Sequence, residues 1–166
     1  MLKPKVQNSL NKQMNAEFYS SYEYLAMSAF LKEKTLDGFS HWFMIQSQEE
    51  YGHAMKIYNY IHNANSKVKL LKIEEPKTNW KTVLDIANET FNHEKKVSQA
   101  IYDLVELSLA EKDYATNNFL QWFVSEQVEE ENIALNILEK LKLIGDSKDG
   151  LFLLDRELMQ RAMGKD

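Results

Sequence analysis

Apolar residues return every three or four positions through four long stretches of this chain, roughly Lys5 to Lys34, Phe39 to Asn65, Lys81 to Ala110 and Tyr114 to Ile144. That period lays them along one face of a helix and predicts an all-α fold. A shorter stretch, Gly150 to Met163, predicts a fifth helix, and Gly145 falls where a C-terminal cap of the fourth belongs. Asp37-Gly38 punctuates the first pair and Glu111-Lys112-Asp113 the second, so each pair should be antiparallel neighbours. Between the pairs, Ser66 to Trp80 contains Pro76 and has no helical period. These 15 residues reach about 50 Å when extended, at ~3.3 Å each. A helix of about 28 residues is only ~42 Å long, so the segment can run the length of a bundle and start the third helix at the opposite end. The pattern predicts one domain over residues 1–166: an antiparallel four-helix bundle with one long crossover loop and a short fifth C-terminal helix.

Following the three-and-four spacing picks out one inward seam per helix. The first reads Val6, Leu10, Gln13, Glu17, Ser20, Tyr24, Met27, Leu31, and the second Phe39, Phe43, Gln46, Glu50, His53, Ile57, Tyr60, Ala64. The third reads Val83, Ala87, Thr90, Glu94, Val97, Ile101, Leu104, Ser108, and the fourth Phe119, Phe123, Glu126, Glu130, Ile133, Ile137, Leu141. Each seam carries a glutamate near its midpoint: Glu17, Glu50, Glu94 and Glu130. Midpoints coincide in a bundle whichever way its helices run, so these four side chains should meet at one level.

A bare cluster of buried carboxylates would be strongly unfavourable, and protonation is the usual escape. A polyvalent cation reverses the sign by holding the carboxylates ionised. Glu50 and His53, three apart, project from one face of one turn toward a shared ion. Glu126, Glu129 and Glu130 occupy adjoining positions on another helix, and Glu49 points toward the edge of the cluster. Carboxylates with one imidazole and no sulfur suit Fe or Mn and also accept Zn or Co. Glu50 is the residue placed to bridge two such ions, and an iron pair can give O₂ two electrons at once. The competing interpretation is a structural polar network. A lone Glu-x-x-His is weak evidence for metal, whereas four glutamates at one level are not.

Composition narrows the function classes further. The formal charge of −5 comes without a basic stretch, so no nucleic-acid partner is expected. There is no cysteine, which excludes disulfides and thiolate metal sites. No apolar run is long enough for a membrane span, and MLKPKVQNSLNKQ lacks the apolar core of a signal peptide, so a cytoplasmic protein is expected. His41, His62 and His93 lack the company of a ligand cluster, and His93, beside Glu94 and so facing away from the seam, is expected at the surface; Glu74, Glu75 and Glu131 are expected as solvated charges, and Trp42 and Trp122 as packing residues. Two roles suit Tyr24, which falls two turns after Glu17: core packing, or a hydroxyl that hydrogen-bonds a ligand or supplies an electron.

The segments NAEFYSSYEYLAM around Glu17, EEYGHAMKIY around Glu50 and His53, FNHEKKV around Glu94 and FVSEQVEEE around Glu130 resemble the ferritin family, specifically bacterial-type non-haem ferritins. The resemblance covers essentially the whole chain and implies the ferritin-like version of the bundle. It implies a first iron site at Glu17, Glu50 and His53, and a second at Glu50, Glu94 and Glu130. A third, weaker iron site is implied at Glu49, Glu126, Glu129 and Glu130, with Gln127 and Tyr24 near the iron pair. The activity implied is oxidation of Fe(II) by O₂ or hydrogen peroxide, with ferric mineral stored in a homo-oligomeric 24-subunit shell. The fourth helix lacks a second Glu-x-x-His, unlike bacterioferritins and rubrerythrins, and Tyr51 stands where bacterioferritins place their haem-binding Met, so no haem is expected. Leu151, Phe152, Leu154, Leu158 and Met159 give the fifth helix apolar surface expected to be buried against other copies. Three alternatives remain: a non-catalytic storage-shell subunit, a di-metal carboxylate oxidase or peroxidase outside storage, and a DNA-protecting miniature ferritin, whose metal site lies between subunits.

Overall fold

A computed structural model describes residues 1–162. Among the described residues are five helices and no strand: α1 (Pro4–Glu33), α2 (Asp37–Asn63), α3 (Val83–Ala110), α4 (Tyr114–Ile144) and α5 (Lys148–Leu158). Local chemistry sets their starts. Pro4 opens α1 at a position where its missing N–H costs nothing. Thr82 and Asp85 form a reciprocal capping box on α3, and Asp113 and Ser147 accept from the first-turn amides of α4 and α5. Gly145, with φ near +55°, ends α4.

The α1–α2 turn differs from expectation. Lys34, Thr35 and Leu36 make it, with Thr35 at φ +63°, while Asp37 and Gly38 already belong to the first turn of α2. Gly38 is there for clearance instead, because α5 crosses directly above it: a Cβ at this position would lie 1.6 Å from the Asp155 carbonyl oxygen. The fifth helix also stops early, at Leu158 and not Met163, and Met163 itself lies outside the described residues.

The segment from Ser66 to Trp80 runs along α1 from end to end. Ser66 Oγ accepts from Leu2 N, Lys69 N donates to Asn11 Oδ1 at 2.6 Å, Asn15 Nδ2 donates to the Lys72 carbonyl, and Trp80 stacks edge-on against Phe30 at 5.3 Å. Side chains of α1 thus satisfy a backbone with no ladder of its own. The third helix begins at the far end of the bundle, antiparallel to α4 and parallel to α2.

The core divides into two apolar clusters. One, at the α5 end, includes Met27, Phe30, Leu31, Phe39, Trp42, Phe43, Ile86, Leu138 and Leu141, together with Leu154 and Leu158 of α5. The other, at the opposite end, includes Val6, Leu10, Met14, Ile57, Ile61, Ile101, Leu120 and Phe123. Polar residues fill the level between them. The fifth helix therefore uses Leu154 and Leu158 to close its own subunit, and only Phe152, Leu153 and Met159 remain exposed for other contacts.

The expected α1 seam is buried at every position, and α3 departs only at half-buried Val83. Along α4 the stripe turns out differently, reading Leu120, Phe123, Gln127, Glu130, Ala134, Leu138, Leu141. Gln127 is inside where Glu126 was expected, and Ile133 is exposed. Apolar residues from Phe119 to Val124 occupy almost the full circumference of that turn, which leaves the helical phase open until packing selects it. Near its C-terminus α2 buries Ile61 instead of Tyr60 and Ala64, and Tyr60 stacks on Phe119 at 3.9 Å with its hydroxyl 2.9 Å from Thr116 Oγ1.

Candidate metal centre

Each bundle helix contributes one buried glutamate to the polar level: Glu17, Glu50, Glu94 and Glu130 are all 4 % exposed or less. Glu17, Glu50 and His53 each offer a ligand atom within 4.8 Å of the other two, a spacing that one cation can span. His53 Nδ1 lies 3.3 Å from Glu50 Oε2, and its Nε2 lies 3.9 Å from Glu126 Oε1. The rings of Trp122 and Phe123 pack edge-on against the imidazole at 5.3 and 6.0 Å and fix its plane.

Amides and one phenol hold the carboxylates in place. Gln13 Nε2 donates to Glu17 Oε1 at 2.8 Å. Gln46 Nε2 reaches both Glu130 Oε2 at 2.8 Å and Glu50 Oε1 at 3.3 Å, linking two ligand candidates from different helices. Gln127 Nε2 approaches Glu94 Oε2 at 3.3 Å, and the Tyr24 hydroxyl donates a short hydrogen bond to Glu94 Oε1. Glu17 Oε2 is fully buried with no hydrogen-bond donor on it among the described residues, while the Glu17 carboxyl as a whole lies against that of Glu50. A buried acceptor left unpaired costs about 1–3 kcal/mol, and a cation against the cluster would remove that cost.

Burial dominates the electrostatics. It pushes Glu17 up to about 8, aided by the nearby Glu50 charge. Glu94 and Glu130 rise to about 7, again mainly through burial, and Glu50 is raised well above the ordinary carboxylate range by burial with Glu94 and Glu130 beside it. Tyr24 is likewise pushed well above its usual value by burial and by Glu94. Carboxylates that hold protons near neutrality must lose them to bind metal. Titrating the protein with redox-inert Zn²⁺ in weak buffer is therefore expected to release about two or more protons per subunit at pH 6, and fewer at pH 8.5. Metal uptake at pH 6 without acidification would show that these groups are already ionised.

The other sequence-nominated residues are placed less centrally. Glu49 and Glu126 are half-buried beside the cluster, and Glu129 is exposed on the same side of α4. His93, expected at the surface, is half-buried, as is His41. His93 is half-buried between α3 and α1, with Nε2 2.8 Å from Ser20 Oγ, Nδ1 3.1 Å from Glu23 Oε2, and its ring edge-on to Tyr24 at 5.6 Å. Burial lowers it to about 4, so it is neutral, and burial raises Glu23. Both line a cleft of about 800 Å³ that also includes Trp80, Lys77 and Lys96. The position of His93 beside Glu94, about 100° around the helix, suggested an outward side chain. It misled because that direction on α3 faces the neighbouring helix. A second group missed from sequence, Arg161, reaches the edge of the cluster from the C-terminal tail.

Comparison with known proteins extends these observations over the whole chain. Residues 7–144 match the ferritin-like domain family, Ferritin. The chain is 40% identical over 165 residues to the bacterial non-heme ferritin of Campylobacter jejuni, covering 99% of each. It is 44% identical over 161 residues to that of Bacteroides fragilis, covering 97% of this chain and 100% of the relative. Among solved structures, an open-pore ferritin of the hyperthermophilic archaeon Archaeoglobus fulgidus superposes with a TM-score of 0.97 at 46% identity, over 98% of this chain and 99% of that one. A humanized archaeal ferritin superposes with a TM-score of 0.98 at 43% identity, over 99% of this chain and 100% of that one. Bundle, crossover, carboxylate layer and near-complete alignment agree, and the chain belongs to the ferritin family, with bacterial non-haem ferritins among its relatives.

Proposed function

We propose that this protein stores iron and is itself a ferroxidase, oxidising Fe(II) at a pair of sites inside each subunit and passing the ferric product to a mineral held within a shell of like subunits. The observation that carries this reading is the layer of four buried glutamates, one per helix, closed by His53 and walled above and below by apolar clusters. In it, Glu17 and His53 hold one iron, Glu94 and Glu130 the other, and Glu50 is shared. Glu49, Glu126 and Glu129, toward the edge, take a third iron more weakly. Gln127 and Tyr24 support Glu94 by hydrogen bonds. Two Fe(II) each give up one electron, and with two protons O₂ becomes hydrogen peroxide, which can serve as oxidant for two more. The protein positions the irons and neutralises their rising charge with carboxylates.

No helix among the described residues is long and apolar enough to cross a membrane. A cytoplasmic shell assembled through the exposed apolar side chains, including Phe152 and Leu153, fits that surface.

Stopped-flow mixing of Fe(II) with aerobic protein, followed by size-exclusion chromatography, tests the reading. The expected result is a fast oxidation phase that saturates at about two Fe(II) per subunit, in a very large particle that retains ferric mineral. A small oligomer that oxidises iron but retains none would point to an oxidase outside storage. Absence of a saturable fast phase would remove the ferroxidase assignment, and anomalous scattering at the iron edge from Fe-soaked crystals would locate whatever metal binds.

A further inference from the structure

Beyond the end of α5 the chain leaves helical geometry, yet Arg161 is held there by five contacts to α2, besides the bond from its own N–H to the Leu158 carbonyl of α5. His41 Nε2 lies 2.9 Å from the Arg161 carbonyl oxygen, which fixes the backbone. The guanidinium lies 4.3 Å above the Trp42 ring, a cation–π distance, and Nη1 reaches the Trp42 carbonyl oxygen at 3.4 Å. The same Nη1 donates to Gln46 Oε1 at 2.8 Å, and Nη2 donates a short hydrogen bond to Glu49 Oε2. Only 16% of the side chain is exposed, and arginine does not lose its charge in a protein.

Two consequences follow from those atoms. Arg161 occupies the Gln46 amide oxygen, so the amide NH₂ must turn the other way, where it donates to Glu130 Oε2 and Glu50 Oε1. Released from Arg161, the amide could flip and aim its oxygen at two carboxylates. Glu49, meanwhile, already has a cation on its carboxylate. A metal ion binding there meets both the guanidinium charge and an oxygen that is in use.

We infer that Arg161 is a tethered counter-cation: it orients Gln46 toward Glu50 and Glu130, and any metal ion taken up at Glu49 must displace it. This rests on the reading of Glu49 as a cation ligand at the edge of the centre. The tail then sets the order of filling. The pair of sites inside the bundle fills first with Arg161 in place, and occupation of Glu49 frees the tail. Among the ligand candidates Arg161 hydrogen-bonds only Glu49, and it acts on the inner carboxylates through Gln46 and through the pull of its charge on Glu130, so it is a positioning residue.

Calorimetric titration of the assembled protein with Zn²⁺ as a redox-inert probe separates the possibilities, using wild type, Arg161→Gln, Arg161→Lys, Glu49→Gln and the Arg161→Gln/Glu49→Gln pair. In Arg161→Gln the weaker class of ion is expected to bind about tenfold more tightly than in wild type, the scale of one charge-assisted hydrogen bond that no longer has to be broken. Arg161→Lys, which keeps the charge, should stay within about threefold of wild type. Removal of Glu49 should abolish the weaker class whether or not Arg161 is present. A merely structural role predicts weaker binding on substitution, so a gain in affinity is diagnostic. The inference is overturned if Arg161→Gln leaves the weaker class unchanged, weakens it, or binds no third ion although the tight pair fills. Absence of the tight pair from wild type would instead defeat the proposed di-iron centre.

Discussion

Replacing Glu50 with alanine is expected to slow the fast phase of Fe(II) oxidation on the order of 100-fold or more, a larger loss than outer supporting groups usually cause. Glu50 is the carboxylate next to everything else in the centre: within 4.8 Å of Glu17 and His53, hydrogen-bonded to Gln46, and electrostatically coupled to Glu94 and Glu130. Without it each remaining half of the ligand set is incomplete, and no shared group holds two irons at a distance from which both can reduce one O₂. Stability should move the opposite way. Fully buried glutamates with proton affinities raised above the ordinary 4.5, as for Glu17 at about 8, are protonated in the fold and ionised in the unfolded chain across that interval. Their destabilising contribution is absent below about pH 4.5, grows by about 1.4 kcal/mol per pH unit for each group, and is complete above the folded value. The metal-free protein should therefore lose thermal stability between about pH 5 and 8, and Glu50→Gln should unfold at an equal or higher temperature than wild type at pH 8. Stopped-flow absorbance and calorimetry on one preparation check both halves. Wild-type oxidation rates in Glu50→Ala would sink the assignment of Glu50, and a large drop in the melting temperature of Glu50→Gln would make it a structural group.

Gly38→Ala is expected to unseat α5. The added Cβ would lie 1.6 Å from the Asp155 carbonyl oxygen and 2.5 Å from its carbon, both backbone atoms that cannot rotate away. The helix must back off, which breaks the hydrogen bond from Phe39 N to Asp155 Oδ1 at 2.9 Å and uncovers Leu154 and Leu158. Overpacking of this kind costs about 1–3 kcal/mol, which in a chain of this size lowers the melting temperature by roughly 2–4 °C per kcal/mol. Faster proteolysis of the tail should accompany that drop. Gly52 provides the control, since a Cβ there meets nothing within 4 Å and alanine should stabilise its helix by up to about 1 kcal/mol. Equal melting temperatures for the two variants would mean that α5 does not rest on Gly38.

Helical periodicity and the spacing of breakers carried most of the architecture because both act locally. Three-and-four spacing marks a face whatever that face touches, and an extended segment of fixed length either reaches the far end of a helix or does not. The buried glutamates were legible for the same reason: a charged residue in an apolar seam contradicts its neighbours, and four contradictions at matching depth imply a shared partner. Partners set by direction and not by depth needed the tertiary structure. The rotation of α4, which exchanges Glu126 for Gln127, could not be read where apolar residues surround the helix. His93 faced a neighbouring helix across a cleft, Gly38 served a helix more than a hundred residues away, and Arg161 returned from the tail to the edge of the metal centre. Sequence by itself determined most of the residues buried together, the four mid-helix glutamates among them, since burial depends on each side chain's own solvation. Only the folded chain decided which atoms meet, because a hydrogen bond or a clash depends on two segments arriving at one place at one angle.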